Sequence, residues 1–172
     1  MPEDEQDLTA WAMTQAAALR ALGGVVSRGE NQPTDLLRPP DWEDLAEEIE
    51  GLARRDRREL GSRLALIIEH LAKLEFSRPV EPLGGWSETI LRERGEIELI
   101  LQDSPSLRGA VPDILADRTE VAVQLEARSL ELHGETPSAG KLRKSRSGAG
   151  YRLGDVLGSW LPDTPSPSCP KP

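Results

Sequence analysis

The stretch 41–52, DWEDLAEEIEGL, constrains the fold more than any other part of the chain. Trp42, Leu45, Ile49 and Leu52 recur at helical spacing and form one apolar stripe, while carboxylates fill the other faces. A helix of this kind needs a partner surface, so the rest of the chain is expected to build a helical bundle over the stripe. Asp41 offers an N-cap, and acids crowd the first turn, where the helix dipole favours them.

The same periodicity recurs along the chain. Residues 1–6 are polar and are expected to fray. A first helix is predicted over 7–22, with Leu8, Trp11, Gln15, Leu19 and Leu22 on one face and Gly23-Gly24 as its stop. Pro33, Pro39 and Pro40 mark 25–40 as a loop. The helix from 41 is predicted to end near Ala53. Asp56 with Glu59 resembles a capping box and opens a further helix over 57–76, inward through Leu60, Leu64, Ile67, Leu71 and Leu74. A fourth helix covers 87–102, with Ile90, Arg94, Ile97 and Leu101 on its inner line. One turn at 105–110 follows. Pro112 then interrupts, and a fifth helix spans 113–132 with Ile114, Arg118, Val121, Leu125 and Leu132 inward. Residues 134–150 read as a mobile Gly/Ser loop carrying Lys141, Arg143, Lys144 and Arg146. Residues 151–161 read as a short returning helix docked on the bundle, and 162–172 as a disordered tail. The fold class is therefore all-α: a small bundle of about five helices over 7–133, a short C-terminal returning helix and a flexible tail.

Charge and cysteine usage narrow the function. A net charge of −9 disfavours nucleic acid, which wants a basic surface, and favours a basic partner. Cys169 is the single cysteine, so no intrachain disulfide or thiolate metal site can form. No apolar run approaches the roughly 18 residues of a membrane helix, and the N-terminus has no apolar signal region. The expected location is the cytoplasm, with no membrane partner.

Several stretches in order resemble one family. Asp7-Leu8-Thr9-Ala10-Trp11 with Gln15-Ala16 and Leu19-Arg20 is similar to its opening, and residues 41–52 to its most recognisable segment. Arg57-Arg58-Glu59-Leu60, Ser62-Arg63-Leu64 and Glu69-His70-Leu71-Ala72-Lys73 continue the likeness. Trp86, Thr89-Ile90, residues 103–108 (DSPSLR), Tyr151-Arg152-Leu153 and Leu161-Pro162 extend it. The chain resembles the bacterial domain of unknown function 29 family. The resemblance implies a small, mainly helical bacterial domain and carries no assigned activity.

One polar constellation stands out. If the inner lines face the core, Arg94 and Arg118 enter it, and each then needs a carboxylate or water. Glu48, beside the stripe of the helix from 41, is the best-aimed partner, ahead of Glu93 and Glu120. His70 flanks the stripe of the following helix. Glu48, His70 and Arg94 are thus candidate catalytic residues of a small hydrolase or anion-binding enzyme, with Arg118 nearby. The favoured reading of the cluster itself is structural, a buried ion network that fixes helix register. Glu47, Glu48 and Glu50 could offer oxygens to a hard cation. However, Glu47 and Glu50 point off the stripe, and the Glu-x-x-His spacing of bundle metal sites is missing. No metal and no cofactor is therefore expected. Phosphate-binding loops, dinucleotide fingerprints and nucleophile elbows are absent as well. The favoured reading is a helical interaction module that binds a basic protein through Glu43, Glu47 and Glu50, or self-associates. An antitoxin-like regulator is a third reading.

Overall fold

A computed structural model describes residues 7–26, 41–77, 83–146 and 150–162. Among them the chain is all-α, with no strand. Six helices occur: α1 (Leu8–Val26), α2 (Trp42–Phe76), α3 (Leu83–Asp103), α4 (Val111–Leu132), α5 (Thr136–Arg146) and α6 (Leu153–Leu157). A 3₁₀ helix, Pro105–Ala110, leads into α4. The expected loop at 25–40 and tail at 162–172 fall largely outside the described residues.

The elements fall into two compact units, Met1–Glu59 with Ile100–Arg108, and Leu60–Leu99 with Gly109–Pro172. In the first unit α1 and the start of α2 form an antiparallel hairpin. Gly23, near the end of α1, meets Trp42 at the start of α2, while Thr9 reaches Asp56. The Gly23-Gly24 pair therefore does not stop α1. Gly23 is buried, and a Cβ there would stand 2.7 Å from the Trp42 Cβ, so the glycine permits close approach instead of ending the helix. Asp7 caps α1: its Oδ1 accepts from the Ala10 backbone N–H at 2.8 Å and from the Ser106 hydroxyl at 3.0 Å.

The break expected near Arg54–Arg55 does not occur, and α2 runs unbroken for 35 residues. Asp56 does not cap a new helix. Its Oδ2 accepts the Ser104 hydroxyl at 3.1 Å, and Ser104, fully buried, accepts the Thr9 hydroxyl at 3.1 Å. A side chain that reads locally as a helix start is used by a contact distant in sequence.

The second unit holds the larger core. Leu60, Leu64, Ile67, Leu71 and Leu74 of α2 are buried, as are Ile90 and Ile97 of α3. Pro112 does not interrupt the next helix; it lies in the first turn of α4, where its missing N–H costs nothing. This helix is rotated from the expected face. Ile114 is buried, but Arg118, Val121, Leu125 and Leu132 are exposed, and Leu115, Ala122, Val123, Ala127 and Leu130 point inward. Gly134, at φ 79°, closes α4: its N–H donates to Glu131 O and that of Glu135 to Leu130 O, a Schellman end. The stretch expected as a basic loop then forms α5, which packs on α4 and buries Ala139 and Leu142. Arg143 pairs with Glu131, so part of that basic charge is internally neutralised.

Candidate interaction surface

In the hairpin of the first unit, small side chains point in and large ones point out. Ala12, Ala16 and Gly23 of α1 and Ala46 and Ala53 of α2 are buried. Trp11, Leu22 and Val25 are 39%, 46% and 61% exposed, and Leu8, Leu45 and Leu52 are exposed too. The stripes read from the sequence as core faces are thus only partly covered: of the α2 set, Trp42 and Ile49 are half-buried, while Leu45 and Leu52 face solvent.

Arg20 marks one flank of the hairpin. Its guanidinium pairs with Glu43 at 2.7 Å and with Glu50, which also takes Arg54 at 3.3 Å. The Glu50 carboxyl is held below the usual glutamate range, first by its hydrogen bond from Arg20. The same pairing pushes the Arg20 guanidinium up. At 100° per residue, Trp11, Gln15, Ala18 and Leu22 lie on the other side of the buried Ala12–Ala16 line. In an antiparallel pair like flanks adjoin, so Leu45, Ile49 and Leu52 share that side. One flank is charged and closed by Arg20; the other carries the exposed apolar groups, with the exposed Glu48 at its edge, about 40° from Leu52 on α2.

The expected site residues are distributed as follows. Glu43 and Glu50 serve the chain's own Arg20, whereas Glu47 and Glu48 are exposed on α2. Glu48 lies in the first unit, and His70 and Arg94 lie in the second. The His70 Nδ1 faces Leu66 O at 3.0 Å, and burial followed by the charge of Lys73 holds the imidazole below its ordinary value. Arg94 is not paired to a carboxylate as expected. Its Nε donates to Val156 O at 2.7 Å, and its Nη2 donates to Asp155 O at 2.9 Å and Trp160 O at 2.8 Å. It therefore fastens the segment around α6 by its backbone carbonyls, and burial lowers its pKa. Among the described residues, the hydrogen-bond partner of His70 is Leu66 and those of Arg94 are Asp155, Val156 and Trp160, so the two side chains are not brought together by a shared partner. Arg118 does not enter the core; it lies exposed across Gly61, where a Cβ would meet its Nε at 2.9 Å.

Two groupings escape the periodic reading. Glu75 of α2 takes Arg146 of α5 and the Tyr151 hydroxyl, the latter at 2.8 Å, and Arg146 stacks 4.2 Å from the Tyr151 ring centre. Burial, then the Glu75 charge, pushes the Tyr151 phenol well above its usual value and keeps it a donor. Beside this triad, Leu115, Thr119, Val123 and Leu153 line a groove of about 510 Å³. The other grouping is Lys73 with the buried Glu126, 3.6 Å apart. Both join residues more than fifty positions apart, a separation helical spacing cannot register.

The family model for the domain of unknown function DUF29 matches residues 5–141. The chain belongs to that family. Neither a curated protein nor a solved structure matches it. The DUF29 match contains all of the hairpin and ends within α5, so the resemblance at Tyr151-Arg152-Leu153 lies beyond it. No helix among the described residues of this DUF29 member is long and apolar enough to cross a membrane.

Proposed function

We propose that this DUF29 chain is a helical protein-interaction module whose docking face is the open apolar flank of the α1–α2 hairpin. The observation that carries the proposal is the inversion of size: alanines inside, and Trp11, Leu22, Leu45 and Leu52 outside. Apolar area left in water is the driving force for docking, at about 25 cal/mol per Å² covered. A flank whose exposed groups are mainly apolar, with Glu48 only at its edge, selects an apolar helical face as its complement. A basic partner approaching Glu43 and Glu50 would have to displace Arg20. The proposed setting is the bacterial cytoplasm, a reducing compartment in keeping with the lone cysteine.

The test is a photo-crosslinking residue placed at Ala18 of the full chain in its native cell. A discrete light-dependent protein adduct is expected, reduced at least about tenfold by Leu22→Glu, since a buried unpaired carboxylate costs more than the roughly 1.4 kcal/mol of a tenfold change. Adducts only from Met13, on the Arg20 flank, would refute the proposal.

A further inference from the structure

We infer that the occupant of this flank is a second copy of the same chain, laid antiparallel so that two hairpins close into a four-helix bundle. The inference rests on the docking face proposed above and adds the identity of the partner.

The side chains of α1 are arranged almost symmetrically along its open face. Leu8, Trp11, Gln15, Ala18, Leu22 and Val25 follow one another at alternating spacings of three and four. Read from the two ends inward, Leu8 mirrors Val25, Trp11 mirrors Leu22, and Gln15 mirrors Ala18. A two-fold axis between Gln15 and Ala18 therefore sets large apolar groups against large ones at both ends. At the centre it sets a slim alanine against an amide. The hairpin register carries the same axis onto α2. Thr9 pairs with Asp56 and Gly23 with Trp42, so the middle of the α1 stripe lies level with Glu48–Ile49. Leu45 and Leu52 stand equally far on either side of that level, and the same rotation exchanges them. The two-fold pattern is thus carried by α1 and by the Leu45/Leu52 pair, while Ile49 falls opposite Glu48; the apolar ends of the patch meet apolar ends of its copy, as a self-complementary isologous contact does.

Charge limits where two copies can meet. The chain carries −9, so they meet favourably only where few charges face one another, and on this flank the exposed Glu48 of α2 stands at the edge of the seam and not within it. The one charged residue of α1, Arg20, is turned to Glu43 and Glu50 on the other flank. The dimensions are adequate. A 19-residue helix is about 28 Å long, and a face two helices wide projects about 560 Å², before the relief of its side chains is counted. That is of the order of the roughly 800 Å² per partner of a stable dimer. Antiparallel hairpins pairing through apolar seams are an ordinary bundle solution.

The test uses the full chain. Sedimentation velocity should give a dimer, and Ala18→Glu, an exposed position on a helix, should weaken it by about a hundredfold or more because two carboxylates would be buried together. Unchanged helical circular dichroism would show that the variant folds. Raising salt from 0.05 to 0.5 M should tighten the dimer by screening like charges, the opposite of an acid–base contact. Orientation is read with a short bismaleimide in a Cys169→Ser background. Gln15→Cys should cross-link to itself, and Leu8→Cys should cross-link to Val25→Cys but not to itself, since its copies would lie about 25 Å apart. A Leu8→Cys homodimer would overturn the antiparallel arrangement. A monomer at 100 μM at both salt concentrations would overturn the second copy as occupant. An Ala18 photo-adduct to another protein would then leave the docking face standing, and an adduct to residues 27–40 of the same chain, or none, would remove both.

Discussion

Replacing Gly23 and Gly95 by alanine, one at a time, tests whether the hairpin is as closely packed as its geometry states. Both glycines lie inside helices, where alanine gains about 1 kcal/mol from backbone entropy. A Cβ on Gly95 of α3 meets nothing within 4 Å, so that gain should appear whole, raising Tm by about 2–4 °C for a chain of this size. A Cβ on Gly23 stands 2.7 Å from the Trp42 Cβ and 3.0 Å from its Cγ, against an optimum of about 3.5–4.0 Å between carbons. The Trp42 Cβ is tied to the α2 backbone, so side-chain rotation cannot clear it and the helices must part. Overpacking of this kind costs about 1–3 kcal/mol, leaving Gly23→Ala about 0–2 kcal/mol less stable than the parent. The two variants should therefore differ by about 1–3 kcal/mol, with Gly95→Ala above the parent and Gly23→Ala level with it or below. Urea titration followed by circular dichroism measures the difference, and peptide-resolved hydrogen exchange over residues 8–26 assigns the Gly23 effect to the hairpin. A Gly23→Ala protein stabilised as much as Gly95→Ala would refute the close approach of α1 to Trp42.

Further perturbations probe the polar anchors. Asp7→Ala should cost at least about 1 kcal/mol by removing the α1 cap, read as faster exchange in the first turn of α1. Burial raises the Asp7 carboxyl, but hydrogen bonds from Ala10 and Ser106 outweigh it and leave the pKa below 3.8. Its contribution is therefore complete above the unfolded value and lost as pH falls through the lowered one, and acid titration of Asp7→Asn should lack that loss. Tyr151→Phe should cost about 1.5–3 kcal/mol, the range for a hydrogen bond to a charged group, in thermal unfolding. Burial holds the Glu126 carboxyl above 4.5 despite Lys73. The unfolded chain then ionises first, so stability falls as pH rises from the unfolded value to the raised folded one, and Glu126→Gln should flatten this slope.

What the amino-acid order determined by itself was the helical character, through the period of its apolar residues. It also placed the inward face of the α2 segment from Leu60 to Leu74, where large aliphatic groups recur with nothing polar to compete. Which face of α1 and α4 turns inward was decided only in three dimensions. A helical wheel assigns the core to the largest apolar groups, and in the hairpin close approach favours Ala12, Ala16 and Gly23 instead, leaving Trp11 and Leu22 outside. The continuity of α2 was likewise a tertiary outcome, because Asp56 is taken by Ser104 from 48 positions away and is lost to local capping. Arg94 shows the same limit. Its spacing marked an inward guanidinium, but the carbonyls that receive it lie some sixty residues on, beyond anything a repeat of three and four can encode.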